Sequence, residues 1–432
     1  MRIAARYCPP RRQRRGLALA ARPRTPARVC MGYADHSRLF NCGVQVSEVT
    51  LVPTEAAKLD VTRIVTIRPG QDPDPVACLA STARARPLSA PRHGHQCRLW
   101  EPGKPSDLWR VVGTVSGVTH PLLNPMIVEA VEKAATEHRG RAWVHSAFTD
   151  LNHRATHPCG IFTSMPFSVF AKLDISPIGE EQFAAELSGF GLIRSRTTVA
   201  TPVPVAGGLV VTGAGTLLLS EALPERGTAS GQAAEGRVAG DYAAIGHALA
   251  SLHQVRGESF GLAEFNGFFG PLPQPNQPVS SGTWAEFYAE RRVQPMLRLA
   301  VNSRCLPSEL ARGVERVAAR LPVLSGPDPV PTLLHGDAQQ NNFVSTADGA
   351  VAIDVAPYFG HPEADLALVD NYSPVDPALF HAYMESAPID PGFPDRRELW
   401  RLHSYLAAIA FHGADAIGSF LPRIDSAVRQ YA

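Results

Sequence analysis

From Pro121 onward the apolar residues fall into regular periods, and before that point they do not. Met126, Ile127, Ala130, Val131 and Ala134 recur at helical spacing with Glu129, Glu132 and Lys133 on the other face, which predicts an amphipathic helix. Residues 141–148 and 167–173 read as strands, the second rich in aromatic and β-branched side chains, and 180–193 reads as a helix. Residues 208–212 and 216–221, split by Gly213 and Gly215, read as a hairpin. Beyond Glu221 the period changes. Tyr242, Ile245, Leu249 and Leu252 step by three and four, and 284–299, 309–321 and 396–410 show the same spacing. One β-like passage, 342–354, interrupts these helices, with a turn at Asp348–Gly349 between 343–345 and 351–353. The pattern predicts an α+β chain with a small β-rich lobe followed by a larger, mainly helical one.

In the first hundred or so residues Pro, Arg, Gly and Cys are scattered without helix or strand spacing, and only 49–52 and 61–67 suggest short strands. Residues 1–28 carry nine Arg and no acid. Pro9, Pro10, Pro23 and Pro26 interrupt any amphipathic helix there, and the apolar stretch 16–21 is too short for a signal-peptide core. The expectation is therefore a disordered or poorly structured extension over 1–118, with Met31 as an alternative start, then a first lobe over 119–222 and a second over 223–432.

Composition narrows the partners. Lys plus Arg number 41 against 40 for Asp plus Glu, so no long-range attraction draws the chain to nucleic acid or to an anionic membrane. Apolar runs such as 217–219 are far shorter than the roughly 18 residues of a spanning helix. Seven cysteines, an odd number with no CxxC pair, argue against a disulfide framework or zinc site and for a reducing, cytoplasmic setting. Small molecules remain as the expected partners.

Candidate chemistry concentrates in 333–370, which reads LLHGDAQQNNFVSTADGAVAIDVAPYFGHPEADLALVD. Asp337 is followed five residues on by Asn342, and Asp354 ends the hairpin. Phosphoryl transfer needs an oriented acceptor hydroxyl and neutralised phosphate charge. A carboxylate at 337 can orient and deprotonate the hydroxyl, while the amide oxygen of Asn342 and the carboxylate of Asp354 suit Mg²⁺. HGD alone is no more than a loop tripeptide, and the signal lies in the full spacing. Upstream, the strand SVFAKLD carries Lys172, and Glu186 follows on a helix. Only four of the 41 basic residues are Lys, so one retained inside a strand marks a place where a guanidinium substitutes poorly, such as a phosphate site.

Several ordered motifs from Pro121 to the end resemble the fructosamine kinase family, related to aminoglycoside phosphotransferases and choline kinases. They are TLLLSEAL (216–223), FNGFFGPLPQPN (265–276), WAEFYAERRVQPML (284–297), YFGHPEADLAL (358–368) and the closing APIDPGFPDRRELWRLHSYLAAIAFHG. The resemblance implies a protein-kinase-like fold that uses ATP and Mg²⁺ to phosphorylate a small-molecule hydroxyl acceptor, a sugar or ketosamine. It implies Asp337 as catalytic base, Asn342 and Asp354 as metal ligands, and Lys172 with Glu186 as the phosphate-anchoring ion pair. The backbone at Glu221 and Leu223 would meet the adenine edge, Gln274, Pro275 and Asn276 would shape the cleft, Asp365 would brace the catalytic loop and His335 would be structural. Three departures stand out. The stretch expected to hold a glycine-rich phosphate loop, 156–165, has only Gly160; Ala338, Gln339, Gln340 and Asn341 replace the Leu, Trp and Gly that usually follow HGD; and Val355 replaces a proline. Two competing readings follow: a phosphotransferase for aminoglycosides or other amino alcohols, and a pseudokinase that binds nucleotide without turnover.

Overall fold

The computed structural model describes residues 120–224 and 237–432 and, ahead of them, four short strands. The chain divides into two compact units, Met1–Val118 and Thr119–Ala432. In the first, Val49–Leu51 pairs antiparallel with Val65–Ile67, and Cys97–Trp100 with Leu108–Val111. The first pair falls within the two short strands expected from sequence; the second was not expected. The remaining expectation for 1–118 lies outside the described residues.

The second unit opens with α1 (Pro125–Arg139). Asn124 caps it by accepting the Met126 N–H at 3.0 Å, Pro125 sits where no N–H is needed, and Gly140 ends it at φ 67°. Its buried face, Ile127, Val131, Ala134 and Ala135, packs on a five-stranded antiparallel sheet. The strands are β1 (Ala147–Asp150), β2 (Cys159–Thr163), β3 (Val169–Asp174), β4 (Pro204–Thr212) and β5 (Gly215–Glu221), in the order β1-β2-β3-β5-β4. The strand expected over 141–148 is displaced: Trp143 donates its backbone N–H to Thr136 of α1 at 3.0 Å and its indole N–H to the Phe167 carbonyl at 3.1 Å, which ties 141–146 down outside the sheet. The helix α2 (Gly179–Arg196) follows β3, and its far end, with Phe190 and Ile193, packs into the core of the helical lobe.

That lobe starts with α3 (Ala239–His253). A short hairpin, β6 (Gly267–Phe269) with β7 (Leu272–Gln274), leads to α4 (Trp284–Tyr288) and α5 (Gln294–Asn302). The single helix expected over 284–299 is interrupted by a π-turn, Ala289–Val293. Pro295 has no N–H for the carbonyl four residues back, and the Arg291 carbonyl accepts instead from Arg292 Nη1 at 2.9 Å. After α6 (Ser308–Leu324) come β8 (Thr332–Leu333), β9 (Phe343–Thr346), β10 (Gly349–Ala352) and β11 (Phe359–Gly360), paired β8–β11 and β9–β10. The turn expected at Asp348–Gly349 falls one residue earlier, because Gly349, at φ 123°, already pairs with Thr346. Then follow α7 (Pro362–Leu368), α8 (Ala378–Met384), α9 (Phe393–His412) and α10 (Ile417–Tyr431). The helix α9 runs through the lobe's core with Leu399, Leu402, Leu406 and Ile409 fully buried. No helix among the described residues is long and apolar enough to cross a membrane.

Candidate active site

A cavity of about 430 Å³ opens where the sheet meets the helical lobe. The alternation of β3 points Lys172 inward, where only 6% of the residue remains exposed. Its ammonium lies 3.0 and 3.1 Å from the two carboxylate oxygens of Glu186 on α2 and 2.5 Å from Oδ1 of Asp354 just after β10. Burial by itself would depress Lys172, but the two carboxylates outweigh it and hold the ammonium above its usual range. Burial also pushes Glu186 up to about 7 against the pull of Lys172, while Lys172 keeps Asp354 below the ordinary carboxylate range despite its desolvation. Asp354 is held at φ 51°, an unusual conformation for a residue with a side chain.

The floor of the site is the end of the loop from His335 to Asn342, between β8 and β9, where Asn341 and Asn342 line the cavity. Gly336, at φ 86°, has no room for a side chain: a Cβ there would stand 1.9 Å from the Ala356 carbonyl oxygen. Asp365, at the start of α7, accepts the backbone N–H groups of His335 at 2.7 Å and Gly336 at 3.1 Å. It also meets His253 Nε2 at 3.1 Å, and His253 Nδ1 in turn meets the Tyr383 hydroxyl at 2.9 Å. His335 is fully buried, its pKa depressed by that burial, and its Nδ1 accepts the Asp337 N–H at 3.3 Å. Asn342 donates its amide N–H to the Asp337 carbonyl at 2.9 Å. Asp337 itself is pushed up to about 7 by burial, against the hydrogen bonds that Gln339 Nε2 makes to both carboxylate oxygens at 3.3 Å.

Asn342 and Asp354 both line the cavity, as do Lys172, Glu186, Glu221 and Leu223. The Glu221 N–H is committed to the Val203 carbonyl at 2.8 Å. Asp337 is not among the lining residues; it stands five residues before Asn342, whose amide donates to its carbonyl. Gln274, Pro275 and Asn276 do not line the cavity either, so the structure does not bring them to it as the resemblance implied. Arg292 fixes the last two, donating to the Pro275 carbonyl at 2.6 Å and to Asn276 Oδ1 at 2.8 Å, and it stacks on the Tyr358 ring at 3.8 Å.

The roof is also corrected. Residues 159–163 of the stretch expected as the phosphate loop form β2, so the loop between the first two strands is 151–158, which contains no glycine. Gly160 serves packing: a Cβ there would come within 2.4 Å of the Phe148 ring. Sequence reading missed Gln339, His253, Arg292 and Asn152. Gln339, two residues from Asp337, was visible as an amide in the loop, but the other three are joined to the site only by the fold.

A second cavity, of about 340 Å³, is bounded by Asp370, Tyr372, Glu398, Arg401 and Arg423. Its wall is tied to the 335–342 loop by Gln340, whose Nε2 donates to the Ser373 carbonyl at 2.8 Å. Its carboxylates are already paired, Asp370 with Arg397 and Arg401, and Glu398 with Arg401 at 2.7 Å.

A strand lysine held by a helix glutamate, facing a hairpin aspartate across a cleft between a small sheet and a helical lobe, defines a protein-kinase-like phosphotransferase fold. Residues 127–430 match the fructosamine kinase family, and the chain belongs to it. A solved structure assigned as a fructosamine-3-kinase, from Thermobifida fusca YX-ER1, superposes with a TM-score of 0.58 at 31% identity, over 70% of this chain and 99% of that one. A probable ketoamine kinase from Klebsiella aerogenes is 30% identical over 186 residues, 43% of this chain. The matched segment spans 63% of that relative's length. A chloroplastic protein-ribulosamine 3-kinase from Oryza sativa subsp. indica is 28% identical over 254 residues, 58% of this chain and 70% of the relative.

Proposed function

We propose that this chain transfers the γ-phosphoryl group of ATP to a hydroxyl of a small sugar-derived acceptor, a ketosamine on a glycated amine. The observation that carries the reading is the convergence of Lys172, Glu186 and Asp354 on one cavity, with Asn342 beside them and Asp337 on the same short loop as Asn342. Lys172 anchors the α- and β-phosphates and Glu186 holds it in place. The Glu221 carbonyl and the backbone of Leu223 take the adenine edge. Asp337, oriented by Gln339, accepts the proton of the acceptor hydroxyl as its oxygen attacks the γ-phosphorus and ADP leaves. The donor set fits Mg²⁺: one carboxylate and one amide oxygen, with phosphate oxygens completing the shell, is what that hard ion takes. Asp354 and Asn342 would hold it, and its role when bound is to neutralise charge on the β- and γ-phosphates. Among the described residues no three His, Cys, Asp or Glu side chains converge as a free-standing metal site, in keeping with an ion that arrives with its nucleotide.

A coupled ADP-release assay against glycated amines, free sugars and aminoglycosides tests the proposal. Turnover is expected with a glycated amine; turnover with aminoglycosides alone would replace the acceptor assignment, and ATP binding with no turnover on any acceptor would favour the pseudokinase.

A further inference from the structure

The roof of the nucleotide cavity lacks the usual means of holding phosphate. A glycine-rich loop works by letting bare backbone N–H groups approach the oxygens, and every position in 151–158 carries a side chain. Half of its eight positions also have no amide to offer. Leu151 donates to the Cys159 carbonyl at 3.0 Å, Asn152 to Asp150 Oδ1 at 2.8 Å and Arg154 to the Leu151 carbonyl at 2.8 Å, and Pro158 has no N–H. The loop is pinned as a short 3₁₀ turn, Asn152–Arg154, by the Asn152 side chain, which accepts the Cys159 N–H at 2.8 Å and meets His120 Nε2 at 2.8 Å. At its far end His157 lies 3.3 Å from Asp174 on β3. What this turn presents to the cavity is side chains: Arg154 and His153 line the same space as Lys172, Asn342 and Asp354.

We infer that Arg154 is a phosphate-contacting residue, a guanidinium on the roof that supplies by side-chain charge what backbone amides supply in a glycine-rich loop. The inference rests on the reading that nucleotide occupies this cavity. Chemistry favours it: the planar fork of an arginine donates to two oxygens of a phosphate chain at once, while Lys172 below acts as a compact charge. Between them the triphosphate is held from both sides, with His153 as an additional donor beside Arg154. The turn is tied through Asn152 to Cys159 and His120 and through His157 to Asp174, and none of these ties uses the Arg154 side chain.

The test is calorimetric affinity for adenosine, AMP, ADP and Mg²⁺-ATP, on the full chain and on Arg154→Ala and Arg154→Lys, with equal melting temperatures confirming the fold. Arg154→Ala is expected to weaken ADP and ATP by about tenfold or more, the range for loss of one charge-assisted contact, and to leave adenosine within twofold. Arg154→Lys is expected to recover part of the loss. ATP affinity unchanged in Arg154→Ala overturns the inference while the nucleotide site stands. So does an equal loss for adenosine and ATP, which would mean a distorted cavity. A wild-type chain that binds adenosine and ATP alike overturns both the inference and the nucleotide reading beneath it.

Discussion

Two loops border the cavity between sheet and helical lobe, and they are held in different ways. The roof turn, 151–158, is held at its two ends by half-buried groups, Asn152 meeting Cys159 and His120 and His157 meeting Asp174, and keeps His153 and Arg154 exposed. The floor loop is held from outside: Asp365 of α7 takes two of its N–H groups, His253 of α3 supports Asp365, and Gln340 fastens the loop to Ser373. A turn tied at its two ends and exposed between them can exchange the residues in between as long as those ties survive. A loop clamped by buried groups from two helices cannot, since each change strands a polar partner away from water. This accounts for a roof without glycine beside a floor built on Gly336, Asp337 and Asn342.

The largest expected effect is on chemistry at the floor. Asp337→Asn should lower kcat by roughly 10² to 10⁴, the usual contribution of a positioned base, with ATP affinity within a few-fold. Steady-state kinetics beside calorimetry checks this, and near-normal turnover in a folded variant would remove Asp337 from that role. Next is the brace itself. Asp365→Ala strands the N–H groups of His335 and Gly336 and the His253 ring in a buried place, at a cost of about 3–5 kcal/mol. Thermal unfolding should shift down by roughly 10 °C; a shift of only a degree or two would show that the floor does not depend on α7.

Lys172 lies where sheet and helical lobe meet. Its replacement by Arg should be nearly as damaging as by Met, each costing kcat about ten- to hundredfold, because the wider guanidinium cannot fit between Glu186 and Asp354 and still meet the phosphates. Wild-type kinetics for Lys172→Arg would sink the shape argument.

Acid sensitivity sharpens the contrast from the buried side. His403 on α9 is pushed down to about 3 by burial, with Arg292 adding to the effect. The unfolded chain protonates this ring below about 6.5 and the folded one does not, so its contribution to stability is lost as pH falls from there toward 3. Replacing it by Leu should flatten the fall between pH 6 and 4 by about 1.4 kcal/mol per pH unit, measured by denaturant titration of both proteins. Parallel curves would show that His403 takes up its proton in the fold. The smallest effect belongs to the roof. Asn152→Ala removes its hydrogen bonds to Cys159 and His120 in a partly exposed turn, for about 1 kcal/mol. A loss as large as that of Asp365→Ala would erase the distinction between the two loops.

The chain's local patterns fixed much of this in advance. Helical and strand periods located α1, α2, α3 and α9 to within a few residues, because those faces must be buried wherever the chain packs. The spacing from Asp337 to Asn342 to Asp354, and the lysine retained on β3, were legible for a similar reason: five residues of loop and one hairpin bring the first three near one another whatever surrounds them. Tertiary structure decided the rest. That 141–146 leaves the sheet depends on Trp143 finding Thr136 and Phe167, and the π-turn depends on Arg292 serving a carbonyl that Pro295 cannot. The 274–276 loop was assigned to the cleft by resemblance, yet it belongs to the buried Arg292, seventeen residues from Pro275. His253 meets Asp365 across 112 residues. Contacts of that length leave no period in the sequence, since they follow from how helices pack and not from how neighbours along the chain repeat.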